Sequence, residues 1–164
     1  MSNPQGSDLK PAIKFLAWMT VSYLAAFAVF EGTSQGVWFW YVSINRPAWA
    51  PPTWLFTPMS TILYGLMGLA VWKVSKEPDS GSKTAGLTFF FLQLAFGALW
   101  PWIYFAWHKL PFSCAIGALT LVTMIVTVTM FWKTVGAAGK LMLPVVAWCL
   151  YMNLVDIALW RLNR

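Results

Sequence analysis

Apolar residues fall into five long blocks separated by shorter polar stretches: residues 12–30, 54–74, 86–107, 111–132 and 141–162. Each block is close to the ~20 residues that a helix needs to cross the hydrocarbon core of a bilayer. The pattern predicts an all-α fold, a single integral membrane bundle of five transmembrane helices spanning residues 1–164. Helices follow because lipid offers backbone N–H and C=O groups no partner outside their own segment. A barrel does not fit one short chain so punctuated by proline. Residues 1–11 read as a short polar tail carrying Asp8 and Lys10. The block after it has no small-residue cleavage site, so it reads as a retained first span.

The connections are unequal. Residues 76–83, Lys-Glu-Pro-Asp-Ser-Gly-Ser-Lys, form a turn-rich loop. His108 to Pro111 is a tight turn whose proline suits a first helical turn. Residues 133–140 contain Gly136 and Gly139 and read as another short turn. The first loop, residues 31–53, is long and aromatic: it keeps Trp38, Trp40, Tyr41 and Trp49 among Pro47, Pro51 and Pro52. Such a loop is a lid or an interfacial segment.

Composition agrees with the pattern. Apolar residues make up 59% and charged residues 10% of the chain, which excludes both disorder and an ordinary soluble globule. The 12 Trp, 12 Phe and 5 Tyr exceed what interfacial anchoring needs. The net charge of +6 is scattered over the loops, so no nucleic-acid-binding face is expected. Lys10, Lys14, Lys73, Lys76, Lys83, Lys133 and Lys140 fall on one side, and Arg46, Lys109, Arg161 and Arg164 on the other. That bias favours a cytoplasmic N-terminus. Cys114 and Cys149 lie in apolar runs and His108 is the lone histidine, so neither a disulfide nor a metal site is expected.

Two spans carry candidate chemistry. In the third, Gln93, Phe96, Gly97, Trp100, Tyr104 and Trp107 recur at steps of three or four and share one face. Pro101 follows Gly97 by four residues, so it removes a helical hydrogen bond and kinks the span, leaving the Gly97 carbonyl free. This face is either aromatic packing between helices or the wall of a flat pocket for a planar apolar ligand. In the fifth span, Trp148, Met152 and Asp156 share a face. Asp156 is an intramembrane acid, which is either functional or a structural carboxylate paired with Arg46 or Lys109. Catalytic signatures are absent: there is no Ser-His-Asp set, phosphate loop or carboxylate pair.

Three motifs resemble one known family. Trp40-Tyr41-Val42-Ser43-Ile44-Asn45-Arg46-Pro47-Ala48-Trp49-Ala50-Pro51-Pro52 resembles the first-loop signature of the tryptophan-rich sensory protein family, the bacterial branch of the translocator proteins (peripheral benzodiazepine receptors). Residues 93–101 resemble that family's third-helix motif, and residues 144–148 with 160–163 resemble its fifth-helix motif.

The resemblance implies a five-helix bundle in a bacterial cell membrane, often a homodimer. Its pocket lies under the first loop and binds porphyrins, haem-type tetrapyrroles or similar planar lipophiles, with no obligatory cofactor. By motif position, Trp40, Tyr41, Trp49, Pro51 and Pro52 would shape the lid. Gln93, Gly97, Trp100, Trp148 and Met152 would line the pocket, and Asp156 joins them from its shared helical face. Some members are associated with light-dependent porphyrin breakdown, for which Trp49 and Trp148 would be the donors. Transport of the same ligands, and a purely structural role in a membrane complex, are the further alternatives.

The chain departs from the family in places. Gly97 and Asp156 stand where Asn is usual, which implies a pocket retuned for a different ligand. Val145 and Ile157 stand where a Tyr is expected, which counts against sterol binding by the C-terminal pattern. Thr88 and Leu92 replace the small residues through which many members pair.

Overall fold

The computed structural model describes residues 5–164, with side chains from Pro11 onward. The expected tail is helical from Gln5, because α1 runs over Gln5–Ser34; residues 1–4 of that tail lie outside the described residues. The first loop holds one short helix, α2 (Trp40–Ser43), and a 3-10 turn (Thr53–Leu55) leads into α3 (Phe56–Ser75). Next come α4 (Gly81–Pro101), a π turn (Trp102–Ala106), α5 (Leu110–Thr134) and α6 (Gly136–Leu162). Five of these segments are long and apolar enough to cross a membrane, in the order the hydrophobic blocks predict.

Helix ends follow local chemistry. Ser80 caps α4, its hydroxyl oxygen accepting from the Lys83 N–H at 3.2 Å. The Lys83 ammonium turns back to Asp79 (2.9 Å) and to the Glu77 carbonyl (2.7 Å), and its hydrogen bond and charge hold the Asp79 carboxyl below its ordinary range. Pro111 sits in the first turn of α5. The turn expected over residues 133–140 is shorter than its glycines suggest. Only Val135 is extended (φ −152°, ψ 113°), and Gly136 and Gly139 belong to α6. Gly139 serves close packing instead: a Cβ there would stand 2.6 Å from the Trp132 ring.

The bundle packs α4 against α5, α5 against α6, and α3 between α1 and α6. Its core divides in two. One cluster, including Leu63, Met67, Phe90, Met124 and Val145, fills the end away from the first loop. The other, including Val37, Tyr41, Phe56, Tyr104, Phe105, Met152 and Leu159, lies under that loop. Buried Thr120, Thr123 and Thr127 return their hydroxyls to carbonyls of their own helix at 2.8–2.9 Å, so they need no partner elsewhere. The outer faces, with Ile13, Leu16, Phe27 and Phe112 exposed, present the apolar surface that lipid covers.

Past Gly97 the third span departs from the expected single face. Pro101 has no N–H to give, and the chain widens into the π turn, where the Trp107 N–H reaches the Trp102 carbonyl at 2.9 Å. The wider turn buries Tyr104 and Phe105 and rotates Trp107 outward, so Trp107 leaves the face that starts at Gln93. The π turn docks on the end of α1. A Cβ on Gly36 would fall on the Phe105 carbonyl oxygen, and one on Gly32 would stand 2.9 Å from the Trp102 ring. Glycine at both positions is what allows this approach.

Candidate functional site

Between the two core clusters lies a cavity of about 130 Å³ to which all five spans contribute. Val29 and Thr33 come from α1, and Phe56, Ser60 and Tyr64 from α3. Gln93, Gly97 and Trp100 come from α4, Gly117 and Thr120 from α5, and Trp148, Cys149, Met152 and Asn153 from α6. Among the described residues no Lys, Arg, Asp, Glu or His lines it. Its size is near that of an engineered ~150 Å³ cavity that takes up benzene, so as it stands it has room for a small ring compound. A macrocycle requires the walls to part.

The polar groups of the cavity are few and differently occupied. Gln93 is 1% exposed, and neither its Oε1 nor its Nε2 has a hydrogen-bond partner. An amide so placed loses about 1–3 kcal/mol for each unmade bond unless a guest supplies a partner. Asn153 is already engaged, donating to the Cys149 carbonyl at 2.8 Å while its carboxamide fills the space left by Gly117. Gly97 is different: a Cβ there would meet only Tyr64 Oη at 3.5 Å and Thr120 Cγ2 at 3.8 Å, which is ordinary contact. Its missing side chain is therefore open space on the cavity wall.

Trp100 is fixed from behind. Its ring stacks on Tyr104 at 4.9 Å and 21°, and its Nε1 donates to Asp156 Oδ2 at 3.0 Å. Ser113 shares its one hydroxyl proton between Asp156 Oδ1 (2.9 Å) and the Leu110 carbonyl (2.8 Å). One carboxylate thus ties α4, α5 and α6 together. The ion pair with Arg46 or Lys109, one alternative for Asp156, does not form. Arg46 lies over the Tyr41 ring instead (5.0 Å), Lys109 is exposed, and among the described residues the ion pair present is Lys83–Asp79. Two neutral donors reach a carboxylate at this depth without the desolvation of a second charge.

The first loop closes over this end of the bundle. Trp40 stacks on His108 at 4.4 Å, and His108 adopts a left-handed φ of 55°. Tyr41 is fully buried, its hydroxyl donates to the Pro51 carbonyl at 3.2 Å, and burial pushes its pKa up to about 12. The Tyr151 hydroxyl donates to the Trp49 carbonyl at 2.7 Å. The Asn163 side chain pairs with the Asn45 backbone at 3.0 and 2.9 Å.

Gln93, Gly97, Trp100, Trp148 and Met152 therefore come together on the cavity wall. Trp40, Tyr41, Trp49, Pro51 and Pro52 do not reach it. They pack over it, with Pro51 buried and Trp49 half exposed. Asp156 stands behind Trp100, outside the lining. Tyr64, Asn153, Thr33 and Ser60 were not singled out by the sequence, and Cys149 was noted only for lying in an apolar run; polar groups within apolar spans were the available signal.

Comparison with known proteins bears on the same frame. The model of the "TspO/MBR family" matches residues 15–161. Protein CrtK of Rhodobacter capsulatus is 31% identical over 125 residues, which cover 76% of this chain and 78% of that protein. Tryptophan-rich protein TspO of Archaeoglobus fulgidus is 28% identical over 158 residues, covering 94% of this chain and 97% of its own. The translocator protein of Homo sapiens is 27% identical over 127 residues, with 76% and 75% covered. With its family match running through all five membrane spans, the chain belongs to the TspO/MBR family of membrane proteins.

Proposed function

We propose that this protein is a membrane receptor or sensor that binds a porphyrin, or a similar planar lipophile, in the cavity beneath its first loop. The observation that carries the reading is the Gln93 amide, buried and unpartnered on an uncharged wall shared with Trp100 and Trp148. Indole faces favour flat aromatic guests, and an unpartnered amide orients them. Relatives named sensory and translocator proteins support this class of role. The carboxylates of a porphyrin find no cation in the lining, so they would project outward while the ring enters.

The test is a titration of the purified protein in detergent with protoporphyrin IX in the dark, read by tryptophan fluorescence quenching. Saturable one-site quenching that weakens in the Trp100→Phe, Trp148→Phe variant supports the reading. Linear quenching, unchanged in the variant, overturns it. A light-dependent breakdown activity is the second reading, for which Trp148, which lines the cavity, is the better-placed donor than Trp49, which does not. Loss of porphyrin absorbance under light would then be abolished by Trp148→Phe and kept by Trp49→Phe.

A further inference from the structure

A second hollow, about 340 Å³, lies on the outer seam between α1 and α3, lined by Tyr23, Ala26, Phe27 and Phe30 on one side and Thr57 and Thr61 on the other. It shares four wall residues with the inner cavity: Val29, Thr33, Phe56 and Ser60. Tyr23, Phe27 and Phe30 are exposed on the face that lipid covers, and no charged residue among those described lines either space. Further from the loop the same seam is tight. A Cβ on Gly65 would stand 2.9 Å from the Tyr23 hydroxyl, and one on Gly68 would stand 2.6 Å from Met19 Sδ. The two helices therefore pack closely there and diverge beside the cavity. The neighbouring routes are held shut. The π turn is seated on Gly32 and Gly36, and the loop is tied to α6 and its C-cap by Tyr151–Trp49 and Asn163–Asn45.

We propose that lipophilic guests reach the cavity sideways from the bilayer through this α1–α3 groove, with Val29, Thr33, Phe56 and Ser60 as the partition between the two spaces. The route deepens the reading of the cavity as a site for lipophiles, since an apolar ligand concentrates in lipid and needs no passage through water. Among the described residues no hydrogen bond joins the four partition residues across the seam: the Thr33 hydroxyl is returned to the Val29 carbonyl at 2.7 Å within α1, and the bond that does cross at the groove, from the Tyr23 hydroxyl to the Thr61 carbonyl, is long at 3.4 Å.

Cys149 gives a test that does not depend on which ligand is native, because its thiol lines the inner cavity. The protein, with Cys114→Ala as background, is placed in lipid vesicles and treated with N-ethylmaleimide. The thiol adds across the maleimide double bond, its sulfur bonding one carbon and its proton passing to the other, and mass spectrometry follows the adduct. Ala26→Trp and Thr57→Trp, made separately, fill the outer groove without touching the inner lining. Each is expected to slow Cys149 labelling by about tenfold, equivalent to about 1.4 kcal/mol of added barrier. Asn163→Ala, which frees the loop, is expected to leave the rate unchanged. Circular dichroism confirms that the variants are folded.

Unchanged labelling in both tryptophan variants, or faster labelling in Asn163→Ala, overturns the lateral route in favour of entry under the loop. With protoporphyrin IX as the probe, the groove variants should slow association and dissociation together and leave Kd in place. Absence of saturable porphyrin binding alongside groove-dependent labelling would defeat the ligand reading and leave the route standing.

Discussion

Asp156 offers the sharpest check on how the cavity is held. It is 1% exposed, and it receives hydrogen bonds from Trp100 on α4 at 3.0 Å and from Ser113 on α5 at 2.9 Å. Interhelical hydrogen bonds in membrane proteins contribute about 0.6 kcal/mol on average and up to about 1.7. Asp156→Leu removes both acceptors at once, so the expected loss is about 1–3 kcal/mol. Asp156→Asn behaves differently. Its carbonyl oxygen can accept from Trp100, and its amide can donate to Ser113 Oγ. The Ser113 proton is then free for the Leu110 carbonyl already 2.8 Å away. Every group keeps a partner, and the expected change is within about 0.5 kcal/mol. Unfolding in mixed micelles titrated with dodecyl sulfate, followed by circular dichroism, measures both. A cycle with Trp100→Phe should return a coupling of about 0.6 kcal/mol for that one bond. If Asp156→Asn were as destabilising as Asp156→Leu, the bundle would depend on the charge itself and the hydrogen-bond account would be wrong. If Asp156→Leu were silent, the carboxylate would not be holding the helices at all.

Two further outcomes follow from packing and burial. Gly36→Ala drives a methyl group into the Phe105 carbonyl and should cost about 1–3 kcal/mol in the same unfolding assay, whereas Gly97→Ala meets only ordinary contacts and should stay within about 0.5 kcal/mol; equal effects would refute the close approach of the π turn to α1. Tyr41 has its pKa raised by burial from the ordinary 10.0 to about 12, so the neutral hydroxyl stabilises the loop fully below pH 10 and that contribution is lost as pH rises through about 12. Tyrosinate absorbance near pH 12 should fall by one group's worth in Tyr41→Phe; an unchanged titration curve would mean that Tyr41 does not titrate there.

Much of the architecture is legible in the chain because lipid imposes a simple rule. A segment crossing hydrocarbon must be apolar, about 20 residues long and internally hydrogen-bonded. Five such blocks, scattered loop charges and a proline after Gly97 therefore read directly as a five-span bundle with an interruption in α4. Helical periodicity also brought Gln93, Gly97 and Trp100 to one wall and aligned Trp148 with Met152. Both inferences are local, since each needs only the geometry of one helix.

Periodicity could not say how far a face continues past a π turn, and so Trp107 turned outward. Nor could it say which groups from other helices would meet a given side chain. Asp156 found Trp100 and Ser113, 56 and 43 residues away in the chain, rather than the cations counted on its side of the membrane. The first loop's aromatic residues close the bundle above the cavity instead of lining it. The divergence of α1 from α3 beside the cavity rests on packing further along the seam, at Gly65 and Gly68 against Tyr23 and Met19. Sequence alone determined which segments cross the membrane and which face of each is aromatic, because hydrophobicity and helical pitch are properties of a single segment. Only the tertiary structure decided which polar groups are paired, which amide is left free and where the bundle opens, because those depend on distances between segments that no single helix contains.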